Sequence, residues 1–596
     1  MTLQSSWRRL GGPLLFLFAV ACSSGGNGPA GVANAGSGNV SITLADGAST
    51  TLSMFEVDVR GIVFERRGGG MVTVAPRSTR IDFAQLDGLN DLVATASLPA
   101  GNYARVSMTL DFSAAKVLIS GLSAPAEVRD LRGSVINGPI EVLVDFAGDD
   151  RLVVGRGRNH LFAFDLDLDQ SVSVDSGTNV VTFTPVLNLE VDPSNDRPIG
   201  TGGVLRTVDT NAGSFVVDRL SDDGSVQHTF TVATTGTTLF QVNGVPQVGA
   251  LGLGSLIGYL GQRVFVQGEL DRNRARIDAR FVEAGAGVLG NGQDVLFGHV
   301  VARNGGAGSA AVLTVRGKST DFGTGTRRYD TAHTVNTSLA FTRVLRRSSG
   351  DAFDTDDINV GQLVWVFGDL SGTTMNATAS DSVVRLVPTA LRGTAVAAPS
   401  GNTLTLNLSK LDWRDIAQFD FTVAGQSEAN PAAFGLDVTG LATAGILAGT
   451  RVESLGWFRA VGTSGPDAVA ITLAGRAGKT LLFCEWAPPT SNAVTGANAN
   501  ALTLDLTGTS VRFVRERSTN TALNPTPAPT IRAAGSDGHY RIVQERRVAK
   551  FRDFATFRSE VLARTATASV FMVGGRGTFD APTQTLTATD ATVVLR

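Results

Sequence analysis

One glycine-bounded, strand-like motif recurs along this 596-residue chain and limits what it can fold into. Gly261-Gln262-Arg263-Val264-Phe265-Val266-Gln267-Gly268-Glu269-Leu270 returns as Gly361-Gln362-Leu363-Val364-Trp365-Val366-Phe367-Gly368-Asp369-Leu370. A weaker copy is Gly449-Thr450-Arg451-Val452-Glu453-Ser454-Leu455-Gly456-Trp457-Phe458, and the weakest is Val570-Phe571-Met572-Val573-Gly574. The second copy starts 100 residues after the first, and the third 88 after the second. Alternating valines give a strand with one buried face, and glycine at both ends suits strands that coil sharply at the corners of a small barrel. An opening strand precedes each of the first three copies (Gly202-Gly203-Val204, Phe297-Gly298-His299-Val300, Leu391 to Val396), and a further strand follows every copy. Periods this long fit tandem modules rather than a solenoid. The expected modules are residues 200–285, 296–388, 391–476 and 480–596, and residues 202–285 and 296–388 are each expected to fold alone.

Period-two alternation also governs the chain before the repeats. Val40, Ile42 and Leu44 alternate with polar residues, as do Phe55, Val57 and Val59, then Val106, Met108, Leu110 and Phe112. Turn-forming Gly, Asn, Asp and Ser bound these runs, which therefore read as antiparallel sheet. The fold class is all-β: an N-terminal antiparallel β-sandwich over 37–193, followed by four small barrel-like modules. Helical spacing occurs twice, at Val548, Phe551, Phe554, Phe557 and Val561, and in a short helix expected around residues 81–96.

An apolar fraction of 43% and a charged fraction of 18% describe a globular chain. The net charge of −3 offers no electrostatic ground for nucleic-acid binding. Arg8 and Arg9 precede an apolar stretch from Leu10 to Ala21, shorter than the roughly 20 residues a membrane-spanning helix needs. Residues 1–21 therefore read as a secretory signal, and 22–36, beginning Ser23-Ser24-Gly25-Gly26 after Cys22, as a flexible tether.

Ala19-Val20-Ala21-Cys22 resembles a bacterial lipobox, which implies cleavage before Cys22, acylation of that residue and attachment to a membrane. Ser23 resembles the sorting position of lipoproteins sent to the outer membrane. Leu98-Pro99-Ala100-Gly101-Asn102-Tyr103, with Gly38 to Asp46 and Phe183 to Leu189, resembles the turn and framing strands of prealbumin-like β-sandwiches. Together these features look like a bacterial lipoprotein family with one domain of unknown function here. Residues 202–596 are similar to a second family of small repeated β modules, also uncharacterised. Neither resemblance brings an activity or a catalytic residue.

Chemistry-bearing motifs are sparse. The five histidines (His160, His228, His299, His333, His539) are scattered, without zinc-ligand spacing. Gly317-Lys318-Ser319 and Gly478-Lys479-Thr480 end like a phosphate loop, but Val312 and Leu473 replace the upstream glycine it needs. Cys484, in an apolar run, reads as an inert buried thiol. Asp165, Asp167 and Asp169 alternate along Phe164 to Asp169, so a strand would carry all three on one face. Such a ladder needs arginine or a cation to offset its repulsion. Calcium is the candidate metal, with Asp145, Asp149 and Asp150 as further oxygens and Arg156 and Arg158 as competing counter-charges. Asp351, Asp354, Asp356 and Asp357 form a second acidic loop without the glycine and glutamate of an EF-hand. Arg512 to Arg564 is basic with interleaved phenylalanines, a candidate polyanion or membrane-surface face diluted by acids. No other cofactor is called for.

The function these features imply is non-catalytic: binding, display or scaffolding by an exported, lipid-anchored envelope protein, with envelope glycans or proteins as partners. One alternative is glycan binding, with Trp365, Trp413, Trp457 and Trp486 as platforms and Trp365 facing outward. The other is a hydrolase with a dispersed site, recognisable by two carboxylates, or a serine and a histidine, converging in a cleft.

Overall fold

The structure is a computed structural model. It describes residues 36–45, 51–74, 78–85, 90–146, 151–193, 199–220, 224–271, 276–423, 426–473, 480–496, 500–516 and 519–596. Cys22 and the tether to residue 35, Asp149, Asp150 and Lys479 lie outside the described residues.

The chain is all-β. In the first unit, Ser37–Ala45 pairs parallel with Asn159–Leu166 and antiparallel with Asn90–Pro99, and Leu187–Val191 completes that sheet's edge. The facing sheet carries Met71–Val74, Leu52–Arg66, Gly101–Ile119 and Pro139–Phe146 in order. Side chains from both sheets interdigitate, as where Phe64 meets Phe162 at 5.5 Å between ring centroids. At the Pro-Ala-Gly-x-Tyr turn, Gly101 takes φ +145° and the buried Tyr103 hydroxyl donates to the Pro99 carbonyl at 2.7 Å. That bond satisfies the one polar group the ring carries into the core.

Among the described residues of 81–96 no α-helix forms, and Leu86 and Leu89 of that expectation lie outside them. A three-residue 3-10 turn, Phe83–Gln85, is followed by the strand Asn90–Pro99. Leu92, the last residue of that helical spacing, lies in this strand, which is buried on both faces: Val93 enters the sandwich core while Leu92 enters that of the next unit. The second helical spacing, from Val548 to Val561, spans two elements. Arg547–Phe551 is a strand, and the helix is Phe554–Thr565, capped where Asp553 accepts from the Thr556 amide at 2.7 Å.

The next unit is a closed five-stranded barrel of Ile199–Asp209, Ser214–Leu220, Val226–Ala233, Arg263–Asp271 and Arg276–Ala284. The first strand pairs with the second, the second with the third, the third in parallel with the fifth, the fifth with the fourth, and the fourth with the first. This is the connectivity of the Greek-key barrel known as the OB fold. The same circuit recurs in the second barrel, from Asp294–Asn304 to Thr374–Ala377, after which Val383–Val387 also pairs with the fourth strand. It recurs again in the third, from Thr389–Ala395 to Ala468–Ala470. The fourth, from Thr480–Thr490 to Thr585–Leu595, keeps the circuit except that its first strand pairs with Val511–Glu516 instead of the second strand.

The recurring motif is the fourth strand of each barrel. Val264, Val266, Val364 and Val366 are buried inside, at 1% exposure or less. The closing glycines mark close crossings: a Cβ on Gly268 would stand 2.2 Å from the Asp278 carbonyl oxygen, and one on Gly368 2.4 Å from that of Asn376. In the fourth barrel the equivalent residue is Gly577, 2.0 Å from the Thr587 oxygen by the same measure. The sequence register of that copy, ending on Gly574, is therefore three residues early.

Sheets run across the unit boundaries. Gly200 of the first barrel pairs with Asp91 of the sandwich, and Arg547–Lys550 of the fourth pairs in parallel with Leu143–Phe146. Between the first two barrels, Arg385 Nη1 meets Glu283 Oε2 at 3.1 Å with both side chains 3% exposed or less. The sandwich is thus stitched to both ends of the barrel array.

Candidate ligand-binding cleft

The aspartate ladder does not form. The strand ends at Leu166, Asp167 caps the short helix Leu168–Ser171, and Asp169 lies in that helix's first turn. The three carboxylates therefore do not share a strand face. The counter-charge is not Arg156 or Arg158 but arginines of the fourth barrel. Arg576 grips Asp167 through two bonds of 2.6 and 2.9 Å, and Arg515 stands 3.4 Å from Asp169. Burial opposes charge on Arg576, yet the fields of Asp167, Asp590, Asp169 and Asp165 outweigh it and raise its pKa. Burial raises the pKa of Asp590 against the opposing fields of Arg541 and Arg576, and the Asp167 charge adds to the rise. In the other acidic loop, Asp354 caps the turn Thr355–Asp357 and Asp356 accepts from Gly308 N at 2.8 Å. Asp145 is held by Arg105 and, at 3.2 Å, by Arg547. Among the described residues no group of three His, Cys, Asp or Glu side chains is arranged to hold a metal ion.

The basic stretch is not one face. Lys550 donates to the Leu189 carbonyl at 2.7 Å, Arg541 is buried, and Arg558 bonds the Ala501 and Gly496 carbonyls. Gly317-Lys318-Ser319 lies within the strand Val312–Asp321, so no loop wraps a phosphate there. Ser319 does meet His333, Oγ to Nε2 at 2.9 Å, with Nδ1 of the ring on the Thr331 carbonyl. Both side chains are fully buried, so this pair braces two strands rather than opening on a cleft. Cys484 is buried in the fourth barrel, and burial pushes its thiol pKa up to about 12. Trp486 is a core side chain, fully buried, and no platform. Trp457 and Trp413 are half-buried, with the Arg346 guanidinium 4.7 Å from the Trp457 ring and His299 packed edge-on to Trp413. Trp365 does face outward.

Trp365 lines a cleft of about 960 Å³ between the sandwich, the first barrel and the second. The two barrels offer equivalent faces to it. Phe265 and Trp365 hold the same position of the repeated motif, between inward valines, and both line the cleft. Gly202 and Phe297, each one residue before a corner glycine of the first strand, line it as well. Phe297 packs on Trp365 at 4.5 Å and 33°. Gly200 makes room for Phe265, whose ring lies 3.2 Å from where a Cβ would stand.

The polar lining is arranged in pairs. Arg219 meets Asp91 through bonds of 2.7 and 2.8 Å, and Arg80 meets Asp58 at the same two distances. Arg327 contacts Glu56 at 2.9 Å and Lys318 contacts Asp82 at 3.1 Å. Burial opposes charge on Arg219, but Asp91 overcomes it and raises the guanidinium pKa. The fifth cation, Arg263, is exposed and has no carboxylate partner among the described residues. Sequence reasoning found Trp365 and passed over Phe265, Arg219 and Arg263. The shared motif position of Phe265 and Trp365 was the available signal. The chain matches no protein-family model, and no curated protein is significantly similar to it.

Proposed function

We propose that this is an exported protein held to the cell envelope, at the outer membrane, by a lipid on Cys22, with a non-catalytic role in binding, display or scaffolding. Its binding site is the cleft. The lipobox-like ending, the charged flank before the apolar stretch and the likeness to the two-part lipoprotein family support the location. The observation that carries the binding role is the cleft itself, whose volume falls in the range of ligand pockets and whose walls come from three units held by ion pairs. The glycan reading is favoured by the outward aromatics at equivalent places in two barrels. The hydrolase reading gains nothing from the one serine–histidine pair seen, because it lies in a barrel interior.

Two measurements test this. Fractionation of the native host should find the chain in membranes and Cys22→Ser outside them; unchanged fractionation refutes the anchor. The purified full-length Cys22→Ser chain, added in excess so that reversible binding lost on washing during fractionation is populated, should then co-sediment saturably with isolated envelopes, and Thr320→Trp, which fills the cleft, should stop it. Sedimentation indifferent to that substitution refutes the cleft as the binding site.

A further inference from the structure

Resting on that binding role, we infer that the cleft takes an oligosaccharide bearing a carboxylate. A sugar ring presents an apolar C–H face and a rim of hydroxyls that both donate and accept. Phe265 and Trp365 supply flat apolar surfaces, and exposed Phe322 extends them at 45% exposure. The pairs Arg219–Asp91 and Arg327–Glu56 supply fixed donors and acceptors side by side. Each pair is locally neutral, so it offers direction more than net charge.

Arg263 supplies the charge. It lies two residues before Phe265 on one strand, so the two side chains leave the same face about 7 Å apart. A ring stacked on Phe265 can reach Arg263 with a carboxylate substituent. Four of the five cations in the cleft are already matched by carboxylates. That pattern suits one acid group on a polyhydroxyl ligand. It does not suit a phosphodiester chain, which calls for a run of unmatched cations.

The test uses the full acylated chain in detergent micelles on an array of uronate- and sialate-terminated oligosaccharides with their neutral counterparts and single-stranded oligothymidylate. Calorimetry on the best acidic member follows. The expected result is saturable binding of an acidic saccharide, at least tenfold tighter than its neutral counterpart. Trp365→Ala and Phe265→Ala should each weaken both by tenfold or more, with melting curves confirming that the variants fold. Arg263→Gln should lower the acidic affinity to the neutral level and leave the neutral affinity unchanged. Equal binding of neutral and acidic members, preference for oligothymidylate, or affinity indifferent to both aromatic substitutions overturns the inference. So does the absence of saccharide binding at millimolar concentration. If envelope sedimentation remains blocked by Thr320→Trp in that last case, the binding role stands and the ligand class falls; if it does not, both fall.

Discussion

Replacing Arg576 with glutamine removes one charge from the junction of the sandwich and the fourth barrel and leaves a side chain able to hydrogen-bond. Its partner, Asp167, is 5% exposed at the side chain, and Arg576 itself 24%. Without the guanidinium, Asp167 keeps the Gln170 amide groups at 2.7 and 3.1 Å but loses two charge-assisted bonds. Breaking a buried pair from one side costs about 3–5 kcal/mol, and the partial exposure of Arg576 places this case near about 3. Asp167→Asn keeps the helix cap, since asparagine caps as well as aspartate, so it isolates the charge. Each single variant should therefore lose about 3 kcal/mol in urea unfolding, and the double variant little more than either. The resulting coupling energy is about 2–3 kcal/mol and should survive molar salt, because a buried pair is screened far less than an exposed one. Single effects that add to within about 0.5 kcal/mol would show that the pair does not hold the junction.

Other outcomes follow from the same packing. Burial lowers the pKa of His228, His299, His333 and His539 below 6.5. The folded state then binds fewer protons than the unfolded one, so stability present above pH 6.5 is lost as pH falls below it, by up to about 1.4 kcal/mol per unit for each histidine. Melting between pH 7.5 and 5.5 checks this, and an unchanged midpoint counts against it. Gly268→Val drives a Cβ into the Asp278 carbonyl and should unfold the first barrel, read as lost strand signal in circular dichroism. Cys484, with its thiol pKa raised to about 12, should resist alkylation at pH 8 until the chain is denatured. Because Arg576 and Arg515 already face the aspartates, calcium at millimolar concentration should not raise the melting temperature through Asp165, Asp167 or Asp169.

Much of the architecture was legible because it is local. Strand alternation at Val264 and Val266, the corner role of Gly268 and the Pro99-Ala100-Gly101 turn are each encoded within a few residues. What was missed depends on distant partners. Arg576 lies 409 residues from Asp167, and no spacing rule connects them. Asp165, Asp167 and Asp169 alternate in sequence, but the chain turns at Asp167 to cap a helix, so the alternation has no sheet beneath it. Leu92 falls on helical spacing with Ile81 and Phe83, yet it lies in a strand covered on both sides by two different units, with its neighbour Val93 in the sandwich core. Trp486 and Trp365 both sit in strand-like runs, yet only the assembled barrels decide that one is core and the other faces the cleft. Arg80, Arg219 and Glu56 carried no local signal, since their role depends on which units meet.

The sandwich holds both ends of the barrel array, and a designed cross-link tests that most directly. Leu143 and Arg547 are register partners across the parallel pairing of Pro139–Phe146 with Arg547–Phe551, where the Leu143 amide donates to the Arg546 carbonyl at 2.9 Å. Neighbouring strands lie about 4.8 Å apart, within the Cα separation a disulfide spans. In the full chain, Leu143→Cys with Arg547→Cys should form an intramolecular disulfide under mild oxidation, seen as one cross-linked peptide after digestion. Leu143→Cys with Arg532→Cys, which are not register partners, should not. Free thiols in the first pair, or bonds only between separate chains, would contradict the closed arrangement.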